Sequence, residues 1–245
     1  MIEKVEIGTV QDLLSELDRD DEAVSWFRGQ RNSEWELKPY FFRLESPPSE
    51  TTLLTRFRQN ASRLIENSPG NDFDWLFLMQ HYGVPTRLLD WSENPLVALY
   101  FAVFGGSHDN ADGALWQLDP ISLNAAAGID PETEEGFIPS FDDDELNAYS
   151  MASLKATPRT KLKPIATIAT RNSPRIQAQA GVFTVHHLVT DALDDIHPET
   201  IKRIYIVPSD AKPVIASQLK RLGFTRFHLF PELESIGASV RDGII

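Results

Sequence analysis

The sequence predicts an α+β fold. Segments of β-branched or alternating character and segments of helical apolar spacing follow one another with no strict strand–helix–strand rhythm. Hydrophobic residues make up 42% of the 245 residues and charged residues 24%, the balance of a chain that builds a core. One segment, Leu96 to Phe104, is apolar all round and must be a helix covered on every side.

Val5 to Ile7 reads as a short strand. Thr9 caps a helix through Leu17, with Val10, Leu13, Leu14 and Leu17 on one face. Ala23 to Arg28 is β-branched and aromatic, a strand that Gly29 ends. Glu34 to Leu37 is a second extended piece, and Pro47–Pro48 a break. Helical spacing runs through 50–66 and again through Asp72 to His81, before Gly83 and Pro85. Leu88 to Asp90 is a short strand. Asn94 and Pro95 are N-cap and first residue of the apolar helix, which Gly105–Gly106 stops. Gly113 to Leu118 is a strand. Residues 119–146, rich in Pro, Gly and acids, form an irregular, peripheral excursion. Pro164 to Thr170, Arg175 to His186 and Arg203 to Val207 are strands; Pro213 to Leu222 and Pro231 to Arg241 are helices.

The chain has no cysteine, which excludes disulfides, a thiolate nucleophile and thiolate zinc sites. No window approaches 18 uncharged apolar residues, and the first residues lack the apolar core of a secretory signal, so a cytoplasmic protein without membrane contact is expected. The net charge is −13, and its excess is local. Residues 88–154 hold 13 acids and no Lys or Arg, while the remainder holds 23 acids and 23 bases. Non-specific nucleic-acid binding is therefore not expected. Residues 155–175 hold six bases and no acid, a solvated loop or a local cationic site.

Glycine-rich dinucleotide loops, phosphate loops ending in Gly-Lys and nucleophile elbows are absent. No metal is expected. His186 and His187 would face opposite sides of a strand. The acidic run from Asp130 has its glycine one place late for a calcium loop, and Phe141 where the bidentate Glu belongs. Three segments carry chemistry. In Trp26-Phe27-Arg28-Gly29-Gln30, Arg28 suits a two-pronged phosphate grip and Gly29 allows close backbone approach; the plain alternative is a structural arginine before a turn. Gln80 to Asn94 gathers His81, Tyr82, Thr86, Arg87, Asp90, Trp91, Ser92 and Asn94 at one junction, as a binding site or as a network holding a turn. In RIQAQAGVF, Arg175, Gln177, Gln179 and Gly181 would share one strand face, lining a cleft or facing solvent.

Together these segments resemble the FRG-domain family: FRGQ at 27–30 with Trp35, Leu37, Pro39 and Arg43, then 80–102, 175–183 and LFPELESI at 229–236. The resemblance implies one domain spanning 1–245. More distantly the layout resembles the ADP-ribosyltransferase fold, which implies a split mixed or antiparallel sheet with flanking helices gripping NAD. That resemblance would make Arg28, Gly29, Gln30, Tyr82, Thr86, Arg87, Trp91, Ser92 and Arg175 cofactor-binding, and Arg28, Asp90, His81 and Gln179 catalytic. Gln179 stands where such enzymes carry a glutamate, and no acid occurs between Glu145 and Asp191. The implied function is an NAD-using transferase or NAD glycohydrolase, an effector of toxin–antitoxin or phage-defence kind with a neutralising protein partner. The alternatives are a non-catalytic module binding a nucleotide or nucleic-acid base, and a structural interaction domain.

Overall fold

In the computed structural model, β1 (Glu3–Glu6), β2 (Trp26–Gln30), β3 (Leu88–Ser92), β4 (Gly113–Leu118), β5 (Ile165–Thr167), β6 (Gly181–Val185) and β7 (Ile201–Val207) form one sheet. The structure describes residues 2–20, 23–65, 69–105, 110–129, 136–169 and 173–241. Strand order is β1-β7-β4-β2-β3-β6-β5, with β1 parallel to β7 and the other neighbours antiparallel. The helices are α1 (Val10–Leu17), α2 (Glu50–Ala61), α3 (Asp72–His81), α4 (Pro95–Val103), α5 (Pro120–Ala126) and α6 (Met151–Ala156), then α7 (Pro174–Gln179), α8 (Leu193–Ile196), α9 (Lys212–Arg221), α10 (Arg226–Leu229) and α11 (Leu233–Arg241). The fold is α+β, a mixed sheet with flanking helices. No helix among the described residues is long and apolar enough to cross a membrane.

Local chemistry explains the elements the sequence marks most clearly. The Thr9 hydroxyl accepts from the Asp12 amide and the Asp12 carboxylate accepts from the Thr9 amide, a closed capping box. The Asn94 side chain accepts from the Leu96 and Val97 amides, with Pro95 at the first helical position. α4 then packs over β2, its Leu99 and Ala102 fully buried. α1 and α9 join it over Phe27, Leu115 and Tyr205, while Trp26, Trp116 and Leu118 point to the opposite side of the sheet. α2 and α3 cover the other half around Leu88, Phe183 and Val185.

Gly29 does not end its strand. It lies inside β2, paired with Leu115, directly beneath α4. A Cβ here would collide with the Ala98 carbonyl and lie 2.7 Å from the Ala102 amide nitrogen. The missing Cβ admits the helix, and the Gly29 backbone also lines the cavity described below. Gly29→Ala must therefore push α4 off the sheet, costing about 3 kcal/mol or more. A urea midpoint well below the parent's is the expected result. A role limited to ligand approach would leave it unchanged.

Several expectations are corrected. β1 lies two residues earlier than predicted at its start, residues 34–37 form no strand, and α2 ends at Ala61. β3 runs on to Ser92, and β5 is shorter than predicted. The sequence pattern does not predict α6, α8 or α10. The largest change is at 175–186. Ser173 caps and Pro174 opens α7, which ends at Ala180 in the left-handed conformation (φ 44°) before β6 begins. The excursion at 119–146 is not wholly irregular or peripheral. Asp119 caps α5, Leu123 is fully buried, and Phe141 stacks on Phe73. Asn124 both donates to the Ala166 carbonyl and accepts from its amide, tying α5 to β5. The calcium-loop question at 130–135, Gly106 and Thr170 lie outside the described residues.

The sheet has one weak seam. β2 and β3 share a single ladder pair, Phe27 with Ser92, whereas β2–β4 and β3–β6 pair along their lengths. Past that pair, Arg28–Gln30 and Leu89–Trp91 run on without laddering together. A side chain at either edge can therefore reach into the gap.

Candidate functional site

The seam opens into a cavity of about 390 Å³. β2 contributes Phe27 through Gln30, and β3 contributes Asp90, Trp91 and Ser92. Phe77, Gln80 and His81 come from α3, Ala98 and Phe101 from α4, and Arg175, Gln179 and Gly181 from the α7–β6 junction. Residues from three distant parts of the sequence thus meet in one place.

Arg28 reaches across the gap. Its Nη1 donates to the Asp90 carbonyl at 2.7 Å and approaches Asp90 Oδ2 at 3.5 Å. Asp90 Oδ1 accepts from the Gln80 amide, whose oxygen accepts from the Thr86 hydroxyl. A relay from Thr86 through Gln80 to Asp90 therefore fixes the carboxylate opposite the guanidinium. The Asp90 side chain is 59% exposed while that of Arg28 is 17% exposed, so the acid faces the opening and the base forms the floor. Burial pulls the Arg28 pKa down; the Asp90 charge opposes this and the nearby Arg43 guanidinium adds to it. Arg28 and Arg43 repel one another across a space that an anion would relieve.

Arg31 and Arg175 complete the cationic lining. Arg31 donates to the Gly105 carbonyl. Arg175 lies over the Phe230 ring at 4.7 Å, with Glu232 at 3.8 Å. His81 Nε2 meets the same Glu232 at 3.3 Å. Burial and Arg175 lower the His81 pKa, with Glu232 opposing, so the ring is neutral near pH 7. Asp90 is the one carboxylate among the described residues lining this cavity, against four arginines.

Of the residues singled out in the sequence, Arg28, Asp90, His81, Arg175 and Gln179 converge on the cavity. The others divide. Gln30 is buried, accepting from the Trp116 indole and donating to the Glu36 carbonyl, so its amide braces β2. Trp91 is buried with its indole N–H on Thr184, which leaves its ring in the core rather than stacking on a ligand. The Ser92 hydroxyl donates to the Gln179 carbonyl and accepts from the Asn94 amide, holding the β3–α4 turn. Thr86 acts on the cavity through Gln80, and its hydroxyl also accepts from the Leu88 amide. Tyr82 is exposed on an adjoining cavity. Gln179 is a helix terminus, not a strand residue, and its amide donates to the Leu229 carbonyl.

Arg87 does not face the cavity at all. It is 2% exposed and paired with Glu50, Nε to Oε2 at 2.8 Å. Its backbone amide donates to the other Glu50 oxygen, and its guanidinium donates to the His186 and Tyr149 carbonyls. For this residue the structural alternative, a network holding a turn, is the one the geometry carries.

His186, beyond the end of β6, is fully buried next to that network. Burial, with Arg87 and Arg28 adding to it, lowers its pKa to about 3. The unfolded chain takes up this proton near pH 6.5 and the native chain does not, so stability is full above pH 6.5 and falls as pH drops toward 3. Between pH 6.5 and 5 the loss is roughly 2 kcal/mol. His186→Leu is expected to flatten this part of the profile. Urea midpoints at pH 7.5 and 5.0 that move equally in parent and variant would contradict it.

Gln80, Arg31, Arg43, Phe77 and Phe101 belong to the cavity but were not selected as site residues from sequence. Arg43 and Gln80 stood within the quoted motif segments; Arg31, directly after FRGQ, carried no separable signal. Residues 23–111 match the family model of the FRG domain, which spans β2 through α4 and so includes Arg28, Arg43, Gln80 and Asp90. No curated protein and no solved structure matches the chain.

Proposed function

We propose that this chain, which carries an FRG domain at residues 23–111, binds a nucleotide in the seam cavity, that NAD is its substrate, and that it transfers the ADP-ribosyl group. One observation carries the reading: four guanidinium groups face a single carboxylate in a chain of net charge −13. Such a cluster suits a pyrophosphate, which guanidinium forks grip in two-pronged fashion. Arg28 and Arg43 are the clamp: both line the cavity, and a phosphate there would add to the offset that Asp90 gives their repulsion. Phe77 and Phe101 offer apolar faces for a ring. In the reaction the bond from ribose C1′ to the nicotinamide nitrogen breaks, nicotinamide leaves with the electron pair, and an acceptor lone pair bonds to C1′. Asp90, set by Gln80, is the negative charge available to stabilise the cationic ribose. Gln179 carries no charge and is committed to Leu229, so it is not given that role.

Calorimetric titration with NAD, followed by assay of released nicotinamide, tests the proposal. Binding with release is the expected result, and Asp90→Asn should abolish release while retaining binding. Absence of NAD binding overturns it. Growth arrest on expression in a bacterial host, lost with Asp90→Asn, is the matching readout for an effector role. A second reading, binding without turnover, is favoured by both Asp90 oxygens facing donors already, Gln80 and Arg28. NAD bound with no nicotinamide released selects that reading.

A further inference from the structure

A larger cavity, about 740 Å³, adjoins the first and shares His81, Phe101, Phe104 and Arg175 as a common wall. Its size is that of a small-molecule site. Its lining is rich in aromatic rings. Tyr100 and Phe104 stack at 4.2 Å, Phe101 meets Phe230 edge-on at 5.9 Å, and Phe224 and the exposed Tyr82 stand at other points of the wall. Lys220 and Arg226 supply positive charge beside these rings. The two acids present are already engaged: Glu232 with His81 and Arg175, and Glu234 with Arg226 at 3.5 Å.

We infer that this cavity is a second nucleotide subsite, with a base against the aromatic rings and a phosphate on Lys220 and Arg226. Every base has a ring face that stacks on aromatic side chains, and a phosphate meets the cations. The chain's net charge disfavours a long nucleic acid, which points to a free nucleotide unit. The joined cavities would then hold two such units. They are either both halves of one dinucleotide, or the NAD of the proposed function beside a nucleotide acceptor. The inference extends that proposed function, but its tested residues Tyr82, Lys220 and Arg226 line only the second cavity.

The test is calorimetric titration of the full chain with AMP, nicotinamide mononucleotide and NAD. The variants are Lys220→Ala/Arg226→Ala, Tyr82→Ala and Arg28→Ala. Lys220, Arg226 and Tyr82 are exposed, so folding is preserved. The double variant and Tyr82→Ala should each weaken AMP by about tenfold and leave the mononucleotide of nicotinamide unaffected. Arg28→Ala should do the reverse. If one dinucleotide spans both cavities, NAD weakens with AMP in the double variant. If the occupant is a separate acceptor, NAD is unaffected and AMP binds alongside saturating NAD. AMP that fails to bind the parent, or binds the double variant and Tyr82→Ala as well as the parent, overturns the inference. AMP binding that survives Arg28→Ala when neither NAD nor the nicotinamide mononucleotide binds the parent upholds the second subsite and refutes the NAD proposal alone.

Discussion

Arg28→Ala should weaken NAD binding in the seam cavity on the order of a hundredfold, the worth of one lost charge-assisted, two-pronged contact. The structure separates this from its cost to the fold. The Asp90 carboxylate is largely in water and 3.5 Å from the guanidinium, so removing Arg28 strands no buried charge. What the fold loses is the donor to the Asp90 carbonyl at 2.7 Å. That is worth about 2 kcal/mol, or about 4–8 °C in melting temperature for a chain of this size. Arg28→Lys keeps the charge but lacks the fork that spans carbonyl and ligand, and it should recover binding only in part. A variant that melts a few degrees lower yet binds NAD as the parent does would remove Arg28 from the site.

Arg87→Ala has the opposite profile. Arg87 and Glu50 are buried together, and burial pushes the Glu50 pKa up while Arg87 opposes the shift. Taking away the cation leaves a buried carboxylate and two carbonyls, those of His186 and Tyr149, without their donor. The expected loss is about 3–5 kcal/mol, lowering the melting temperature by on the order of 6–20 °C. Glu50→Leu combined with Arg87→Met removes both charges and should recover part of this loss. It cannot recover all, because the carbonyls stay unsatisfied. Thermal melting of the three proteins reads the effect. Arg87→Ala with an unchanged melting temperature and impaired NAD binding would return the residue to the ligand.

The sequence was legible where structure is made within a few residues. The Thr9–Asp12 capping box, the Asn94–Pro95 helix start, the span of α3 and the span of β4 all follow from side chains acting on neighbouring backbone. The convergence of the FRG and DWSEN segments was legible too, through the motif resemblance. α7 was misread for a local reason. Six residues are less than two helical turns, so Gln-Ala-Gln-Ala satisfies a two-residue period as readily as a helical one. The Ser173–Pro174 start signal was the better guide.

What the sequence determined by itself was the α+β class, the largely buried α4 and the set of polar side chains clustered near two strand ends. What only the tertiary structure decided was the job of each of those side chains. Gly29 serves α4 because that helix crosses β2 at this point. Arg87 serves the core because Glu50, 37 residues away, is folded against it. Arg28 reaches a ligand-sized gap because β3, 62 residues on at Asp90, parts from β2 after a single pair. Capping and periodicity act over about one helical turn. A guanidinium's partner, by contrast, is set by whichever distant segment the packed core brings within hydrogen-bond reach, and no local pattern encodes that.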